Sequence, residues 1–292
     1  MTKQQPTVDN QNLGTVTIVG TGLIGGSMAI AVKEKGLAEK IIGVEANLAH
    51  AQKALQLGLV DEIADLQTAV QKSDLIVLAV PVNSVEELLP AILDGVTEQV
   101  VMDVGSIKNG ILAAVANHPN RGRFVATHPM WGTEYSGPEA AVHGAFKGKA
   151  AVICDPQSSD KGALDLVENL YQNLEMHVVH MNATEHDVHV AYVSHISHIT
   201  SFALANTVLE KEREEDAIFE LASAGFESTV RLAKSNAAMW VPVLMQNRDN
   251  VLDVLNEHLT QLRKFKACLE KENTKYLEEL IENANKIKRI IK

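Results

Sequence analysis

The sequence predicts an α/β chain in two parts: a doubly wound, largely parallel sheet followed by an all-α domain. Three observations predict it. A β-branched run, Val16-Thr17-Ile18-Val19, leads through Gly20-Thr21-Gly22-Leu23-Ile24-Gly25-Gly26 into a helical pattern at 27–33. Strand, glycine turn and helix in that order open an α/β unit. Short β-rich runs then alternate with helical patterns as far as residue 181, as parallel strands joined by crossover helices do. Beyond that point the β-branched runs give way to long helical periodicity.

Taken in order, the expected strands are 16–20, 40–45, 75–80, 99–103, 123–127, 150–154 and 177–181. Expected helices lie between them at 22–36, 47–57, 84–93, 106–117 and 159–173. Ser84 followed by Glu87 has the spacing of a capping box. In the glycine run, Gly20 permits the tight turn, Gly22 lets the backbone approach a pyrophosphate, and Gly25 lets helix and strand pack closely. Free N–H groups at the helix start, where Leu23 and Ile24 stand, face the phosphate. The alternative is a glycine turn that only packs a helix on a sheet. Glu45, 25 residues after Gly20, ends the second strand. A carboxylate there accepts from both ribose hydroxyls and repels a 2′-phosphate. No Arg or Lys follows in Ala46-Asn47-Leu48, so the pattern favours NAD over NADP.

The helical part starts at Asn182-Ala183-Thr184-Glu185, with Asn182 as cap and Glu185 reaching back. Its first helix runs to about residue 210, with Val188, Tyr192, His195, Ile199 and Phe202 on one face. A charge cluster at 211–216 reads as a solvated turn, and helices follow at 217–233, 236–247, 248–271 and 273–291. Pro242 marks a first turn or a kink. The expected organisation is a flexible arm at 1–13, a Rossmann-type nucleotide domain at 14–181, and a helical domain at 182–292 that binds substrate and dimerises.

Composition narrows the function classes. A chain of 292 residues, 46% hydrophobic and 22% charged, describes an ordinary soluble globular protein of one large or two ordinary domains. A net charge of −11 argues against nucleic acid or an anionic membrane as partner, and asks an anionic substrate for a local cationic pocket. Cys154 and Cys268 are too few for a disulfide framework or a metal cluster. No apolar run approaches the roughly 18 residues that span a bilayer, and the polar N-terminus lacks a signal core. The expected setting is cytoplasmic.

Four further places carry chemistry. Met102-Asp103-Val104-Gly105-Ser106-Ile107-Lys108 ends a strand, where open α/β sheets bind ligands. Ser106 is either a helix N-cap or a hydroxyl aimed at substrate; Lys108 is solvated or supplies local positive charge. His128 also ends a strand and is held extended by Pro129, which suits a general base or a structural turn. Thr133 and Glu134 orient it or close the pocket. His195 and His198, at i and i+3, share one side of the long helix; one of them faces the cleft. His186 and His189 are nearby, but no ligand pattern supports a metal. Arg231, among apolar neighbours, is either salt-bridged or a bidentate carboxylate binder.

In this order, the glycine run, Asp103–Lys108, His128-Pro129-Met130 with Gly132-Thr133-Glu134, Ser194-His195-Ile196-Ser197-His198, and Thr229–Ala233 with Arg231 resemble the prephenate/arogenate dehydrogenase family, over about residues 14–265. The resemblance implies oxidation of the ring alcohol of prephenate or arogenate with loss of the ring carboxylate as CO₂, hydride passing to NAD, on the way to tyrosine. It implies that His128 takes the hydroxyl proton and that Ser106 bonds both this histidine and the substrate hydroxyl. Arg231 then binds a substrate carboxylate, His198 and its neighbour His195 line the cleft, and Thr133, Glu134 and Trp240 line or gate it. It also implies a homodimer through the helical domain.

Departures from the family pattern are Ser228 where an acid is usual, Gly225 where several glycines are usual, and Asn236-Ala237-Ala238 in place of a proline-containing segment. No βαββαβ pattern follows the helices, and no mutase-like helical domain precedes the glycine run, so feedback by tyrosine would act at the active site. Prephenate is preferred over arogenate because no acid beyond Glu134 offers an ammonium partner. A β-hydroxyacid or imine dehydrogenase of the same plan is disfavoured, since Ser194–His198 stands where those enzymes place a lysine. A non-catalytic dinucleotide sensor is disfavoured by the concentration of Ser106, His128, His198 and Arg231.

Overall fold

The computed structural model describes residues 12–212 and 218–290. The expected arm at 1–13 and the charged turn at 211–216 fall largely outside them. The first half is β1 (Thr15–Val19), α1 (Leu23–Glu34), β2 (Lys40–Val44), α2 (Leu48–Gln56), β3 (Glu62–Ile63), α3 (Leu66–Lys72), β4 (Leu75–Leu78), α4 (Val82–Gly95), β5 (Val100–Asp103), α5 (Asn109–Ala114), β6 (Phe124–Pro129), β7 (Ala150–Cys154), α6 (Lys161–Asn173) and β8 (His177–Met181). The eight strands form one sheet in the order β3-β2-β1-β4-β5-β6-β7-β8. All neighbours run parallel except β6 and β7. The strand order reverses between β1 and β4, and such a switch point opens a crevice at the carboxyl ends.

Side-chain alternation along the strands builds two cores, one on each face. Val16, Ile18, Leu75, Val77, Val100 and Met102 pack with Met28 and Val32 of α1 and Leu170 and Tyr171 of α6. Val19, Ile76, Leu78 and Val101 pack with Val85, Leu89 and Ile92 of α4 and Ile111 of α5. Period-two burial on both faces is what a doubly wound sheet requires.

The glycine turn sits where β1 meets α1. Gly20 has φ +93°, a conformation that L side chains avoid. A Cβ on Gly25 would stand 2.0 Å from the Gly20 carbonyl oxygen and 2.8 Å from Ile18 Cγ2, so α1 crosses β1 at a distance only glycine allows.

β6 changes partners along its length. Phe124 and Val125 pair in parallel with Val101 and Met102 of β5. Ala126 to Pro129 pair antiparallel with β7. The sheet therefore forks beyond Met102, and the Asp103 carboxylate fills the fork. Its Oδ1 accepts from the Thr127 N–H (3.0 Å), and its Oδ2 accepts from the Gly105 N–H (2.8 Å) and from the Lys108 ammonium. Lys108 is fully buried, so of its two readings the solvated one falls, and its positive charge is held in a buried ion pair with Asp103.

The second half is helical among the described residues: α7 (Ala183–Val190), a π-helical turn at Ala191–His195, α8 (Ile196–Glu212), α9 (Ala224–Val230), α10 (Ala237–Gln246), α11 (Arg248–Glu270) and α12 (Thr274–Asn285). Asn182 caps α7 by accepting from the Glu185 N–H at 2.8 Å. No helix of the described residues is long and apolar enough to cross a membrane.

Several local expectations are corrected. β3 and α3 were not anticipated, because a two-residue strand carries no periodicity; Asp65 starts α3 by accepting from the Thr68 N–H. Helix α4 begins at Val82 after Pro81, so Ser84 and Glu87 lie inside it and form no capping box. Helix α5 begins only at Asn109, which leaves Ser106 in the preceding loop rather than at an N-cap. The expected helix at 217–233 breaks into a 3₁₀ turn at Phe219–Leu221, α9, and a second 3₁₀ turn at Arg231–Lys234. Pro242 lies inside α10, beyond its first turn. The long helix also faces inward differently. Ala183, His186, Asp187, Val190, Ala191, His195, His198 and Ser201 are buried, while Tyr192 is 41% exposed.

The Gly25 contact yields a direct test. Gly25→Ala is expected to lower the unfolding free energy by about 1–3 kcal/mol, as overpacking does. Urea unfolding followed by circular dichroism measures it; an unchanged midpoint would contradict the close crossing of α1 and β1.

Candidate active site

The end of β6, the loop after β5 and the inward face of α7 meet around His128 and Asp187. His128 is half-buried near the end of β6. Its Nδ1 lies 2.9 Å from His186 Nε2, and the two rings meet edge to face with centroids 5.1 Å apart. His186 Nδ1 in turn lies 2.8 Å from Asp187 Oδ1. The Asp187 carboxylate also accepts from the Lys108 N–H (2.8 Å) and the Asn109 N–H (2.9 Å), and so caps α5 from the helical half. Asn247, at the α10–α11 junction, donates to the Asp187 carbonyl at 2.7 Å and lies 3.2 Å from His195 Nδ1.

Desolvation pushes the pKa of His128 well below its ordinary value, helped by the nearby His186, Lys108 and His195. The ring is therefore neutral at neutral pH, the state in which an imidazole accepts a proton. His195 is fully buried, its pKa is pushed down to about 4 by desolvation, and its Nε2 has no hydrogen-bond partner among the described residues. His198 is held by its Nδ1 on the Ser194 carbonyl (3.1 Å) and stacks on Trp240 with centroids 3.5 Å apart. Burial lowers its pKa too. Trp240 also meets His195 edge to face at 5.9 Å. With Val82, Ile107 and Val243 it forms the small apolar cluster that seals the helical half against α4 and the Ser106 loop.

Arg231 and Glu134 lie together at the mouth. The guanidinium donates to Glu134 Oε2 at 2.5 Å, and the arginine side chain is 49% exposed. Glu134's own backbone N–H, followed by Arg231, holds its carboxyl below the ordinary value. Of the two readings open for Arg231, the salt-bridged one describes this state. Thr133 Oγ1 accepts from the Tyr135 N–H at 3.3 Å and so shapes the same turn. Ser106 is half-buried in the loop between β5 and α5. Among the described residues, the Nδ1 of His128 is engaged by His186 and no bond from Ser106 to that ring is formed.

At the switch point, no atom lies within 4 Å of where a Cβ of Gly22 would stand, which leaves an open cradle over the start of α1. The Glu45 carboxylate accepts from the Thr21 N–H (3.0 Å), the Thr21 hydroxyl (3.1 Å) and the Asn47 N–H (3.0 Å), fixing it beside the glycine turn. Sequence reasoning missed Asp187, Asn247 and the role of His186, which it weighed only as a metal ligand. The signal available was the buried polar run His186-Asp187 on an otherwise inward-facing helix.

A dinucleotide cradle at the switch point and a neutral imidazole at the carboxyl edge of the same sheet define an oxidoreductase of the nicotinamide type. Models of the prephenate dehydrogenase nucleotide-binding domain and of the prephenate dehydrogenase dimerization domain match residues 28–180 and 182–283. The chain belongs to the prephenate dehydrogenase family. It is 31% identical over 272 residues to the prephenate dehydrogenase of Bacillus subtilis, covering 92% of this chain and 73% of that one. A cyclohexadienyl dehydrogenase of Zymomonas mobilis is 25% identical over 95% of this chain and 96% of its own. The crystal structure of the A. aeolicus prephenate dehydrogenase with hydroxyphenyl propionate and NAD+ superposes with a TM-score of 0.87 at 29% identity, over 96% of this chain and 98% of that one.

The depressed His195 pKa makes stability depend on pH. The unfolded imidazole takes up a proton near 6.5 and the folded one only near 4. Stability is therefore full above about pH 6.5 and falls as pH drops toward 4, by about 3 kcal/mol from this residue. Urea titrations at stepped pH should show that slope, and His195→Gln should reduce it, the remainder coming from His128 and His198, whose pKa values are also lowered.

Proposed function

We propose that the chain catalyses the NAD-dependent oxidative decarboxylation of prephenate to 4-hydroxyphenylpyruvate and CO₂. The observation that carries this reading is the half-buried, neutral His128 at the carboxyl edge of the sheet whose β1 bears the open glycine turn. The cofactor residues are Gly20, Gly22, Leu23, Ile24, Gly25 and Glu45. The pyrophosphate rests on the N–H groups that open α1, and the fixed carboxylate of Glu45 accepts from the ribose hydroxyls and repels a 2′-phosphate. NAD, when bound, supplies the hydride acceptor.

His128 removes the proton of the ring hydroxyl. Electron density rises on its carbon, whose C–H bond would break to pass a hydride to the nicotinamide when NAD is bound, while the bond to the ring carboxylate breaks to release CO₂ and the ring becomes aromatic. Ser106 hydrogen-bonds the same hydroxyl from the β5–α5 loop. Arg231 binds a substrate carboxylate by exchanging it for Glu134, a swap of one charge-assisted pair for another. His198 and Trp240 give the cleft its flat wall, His195 offers its unpaired Nε2, and Thr133 shapes the turn that carries Glu134.

A homodimer through the helical half fits the aliphatic surface of α11 and α12, where Leu252, Leu259, Leu262, Leu269 and Ile281 stand exposed. The two buried thiols, Cys154 and Cys268, suit the reducing cytoplasm. Residues 14–181 then form the nucleotide domain, and 182–292 the substrate and dimer domain. Arogenate is the second reading: the relative from Zymomonas mobilis carries the broader name cyclohexadienyl dehydrogenase.

Initial rates followed at the NADH absorbance test this. Prephenate with NAD is expected to give the highest kcat/KM among prephenate or arogenate with NAD or NADP. No reduced cofactor from either substrate would overturn the reading, and a preference for NADP would overturn the role of Glu45. His128→Asn is expected to lower kcat by about 10²–10⁴-fold. Arg231→Ala is expected to raise KM about tenfold while lowering kcat less.

A further inference from the structure

His186 and Asp187 are almost wholly out of solvent, and the reaction as drawn above uses neither. They lie next to each other on α7, and with His128 they make an unbroken chain: Asp187 Oδ1 to His186 Nδ1 at 2.8 Å, His186 Nε2 to His128 Nδ1 at 2.9 Å. An ionised carboxylate only accepts. Asp187 therefore places a proton on His186 Nδ1. With that single proton on Nδ1, His186 has a bare lone pair at Nε2, which can only accept, so His128 must donate from Nδ1. The lone pair of His128 is left at Nε2, the nitrogen that His186 does not engage.

We propose that Asp187 and His186 are positioning residues that lock His128 in the tautomer with Nδ1 protonated and Nε2 bare, the form able to take a proton from substrate. The proposal deepens the reading of His128 as general base and rests on it. Free histidine in water favours the opposite tautomer, with the proton on Nε2, and which nitrogen carries it is set by the bond the other one makes. The charged and titratable groups facing His128 are His186, Lys108 and His195, and Lys108 is already paired with Asp103. Charge on the ring is suppressed, so the tautomer decides whether the base works. The same Asp187 carboxylate holds the N–H groups of Lys108 and Asn109, so it also fixes the end of the loop that carries Ser106. One acceptor thus orients the proton on the base and the position of the neighbouring hydroxyl, as outer-shell carboxylates do for histidines in other sites.

The test is a two-bond ¹H–¹⁵N correlation spectrum of the full chain labelled with ¹⁵N-histidine, recorded without substrate at neutral pH, with His128 assigned from its absence in His128→Asn. The expected result is a His128 with a protonated Nδ1 and a bare Nε2. In His186→Phe, which keeps the ring volume but removes the acceptor, the proton is expected to move to Nε2. There kcat should fall by about 10²-fold or more, with KM changed less than about threefold. A wild-type spectrum with the proton on Nε2 overturns the proposal, as does a His186→Phe enzyme that keeps its kcat. If that variant does not fold, the wild-type spectrum alone decides. No substrate is needed for the spectrum, so its outcome is separate from whether prephenate is turned over.

Discussion

The two halves of the molecule meet on one carboxylate. Asp187 takes the N–H groups of Lys108 and Asn109 from the sheet half and the Nδ1 of His186 from its own helix, while its carbonyl takes the amide of Asn247. Each donor left unpaired in a buried place costs about 1–3 kcal/mol, so the arrangement holds together or fails as a unit. That explains why the inward stripe of α7 and α8 is polar. An apolar stripe would bury more hydrocarbon, but it would satisfy none of the groups that the ends of the sheet present to it.

A second carboxylate solves a problem internal to the sheet. Where β6 leaves β5 to join β7, ladder donors lose their carbonyl partners, and Asp103 supplies oxygen in their place to Thr127 and Gly105. Lys108 keeps that charge balanced in the interior. The Tyr171 hydroxyl meets Thr127 Oγ1 at 2.5 Å from the other side, and burial raises its pKa, so it stays protonated. Charges at the carboxyl edge of this sheet thus carry the backbone geometry that a continuous ladder would otherwise impose.

What the sequence revealed, and what it hid, follows the range of the interactions. The glycine turn, seven of the eight strands and the Asn182 cap are local patterns and were legible. β3 was hidden by its two-residue length. The capping box at Ser84 had the right spacing but stood two residues inside a helix that Pro81 starts. Periodicity placed Phe202 correctly, against the Trp240 cluster, but placed the exposed Tyr192 on the inward face too, because amphipathic rules assume that the inside is apolar. Here the inside is a site, and the π-turn at Ala191–His195 shifts the register as well. His128 and Arg231 stood out by chemistry and position in the chain. His186 did not, because its meeting with His128 spans 58 residues of sequence.

The change of partner along β6 has a consequence for how the molecule fails. β6, β7 and β8 join the rest of the sheet through a seam of two register pairs, Val101–Phe124 and Met102–Val125, and His128 lies just beyond that seam. β1, β2, β4 and β5 are tied to one another by ladders of four or five register pairs. Openings of lowest free energy in such a structure come at its narrowest joint. Warming therefore loosens the stitching around His128 while the bulk of the helices and strands is still intact. In this architecture catalytic competence is a more sensitive thermometer than secondary structure.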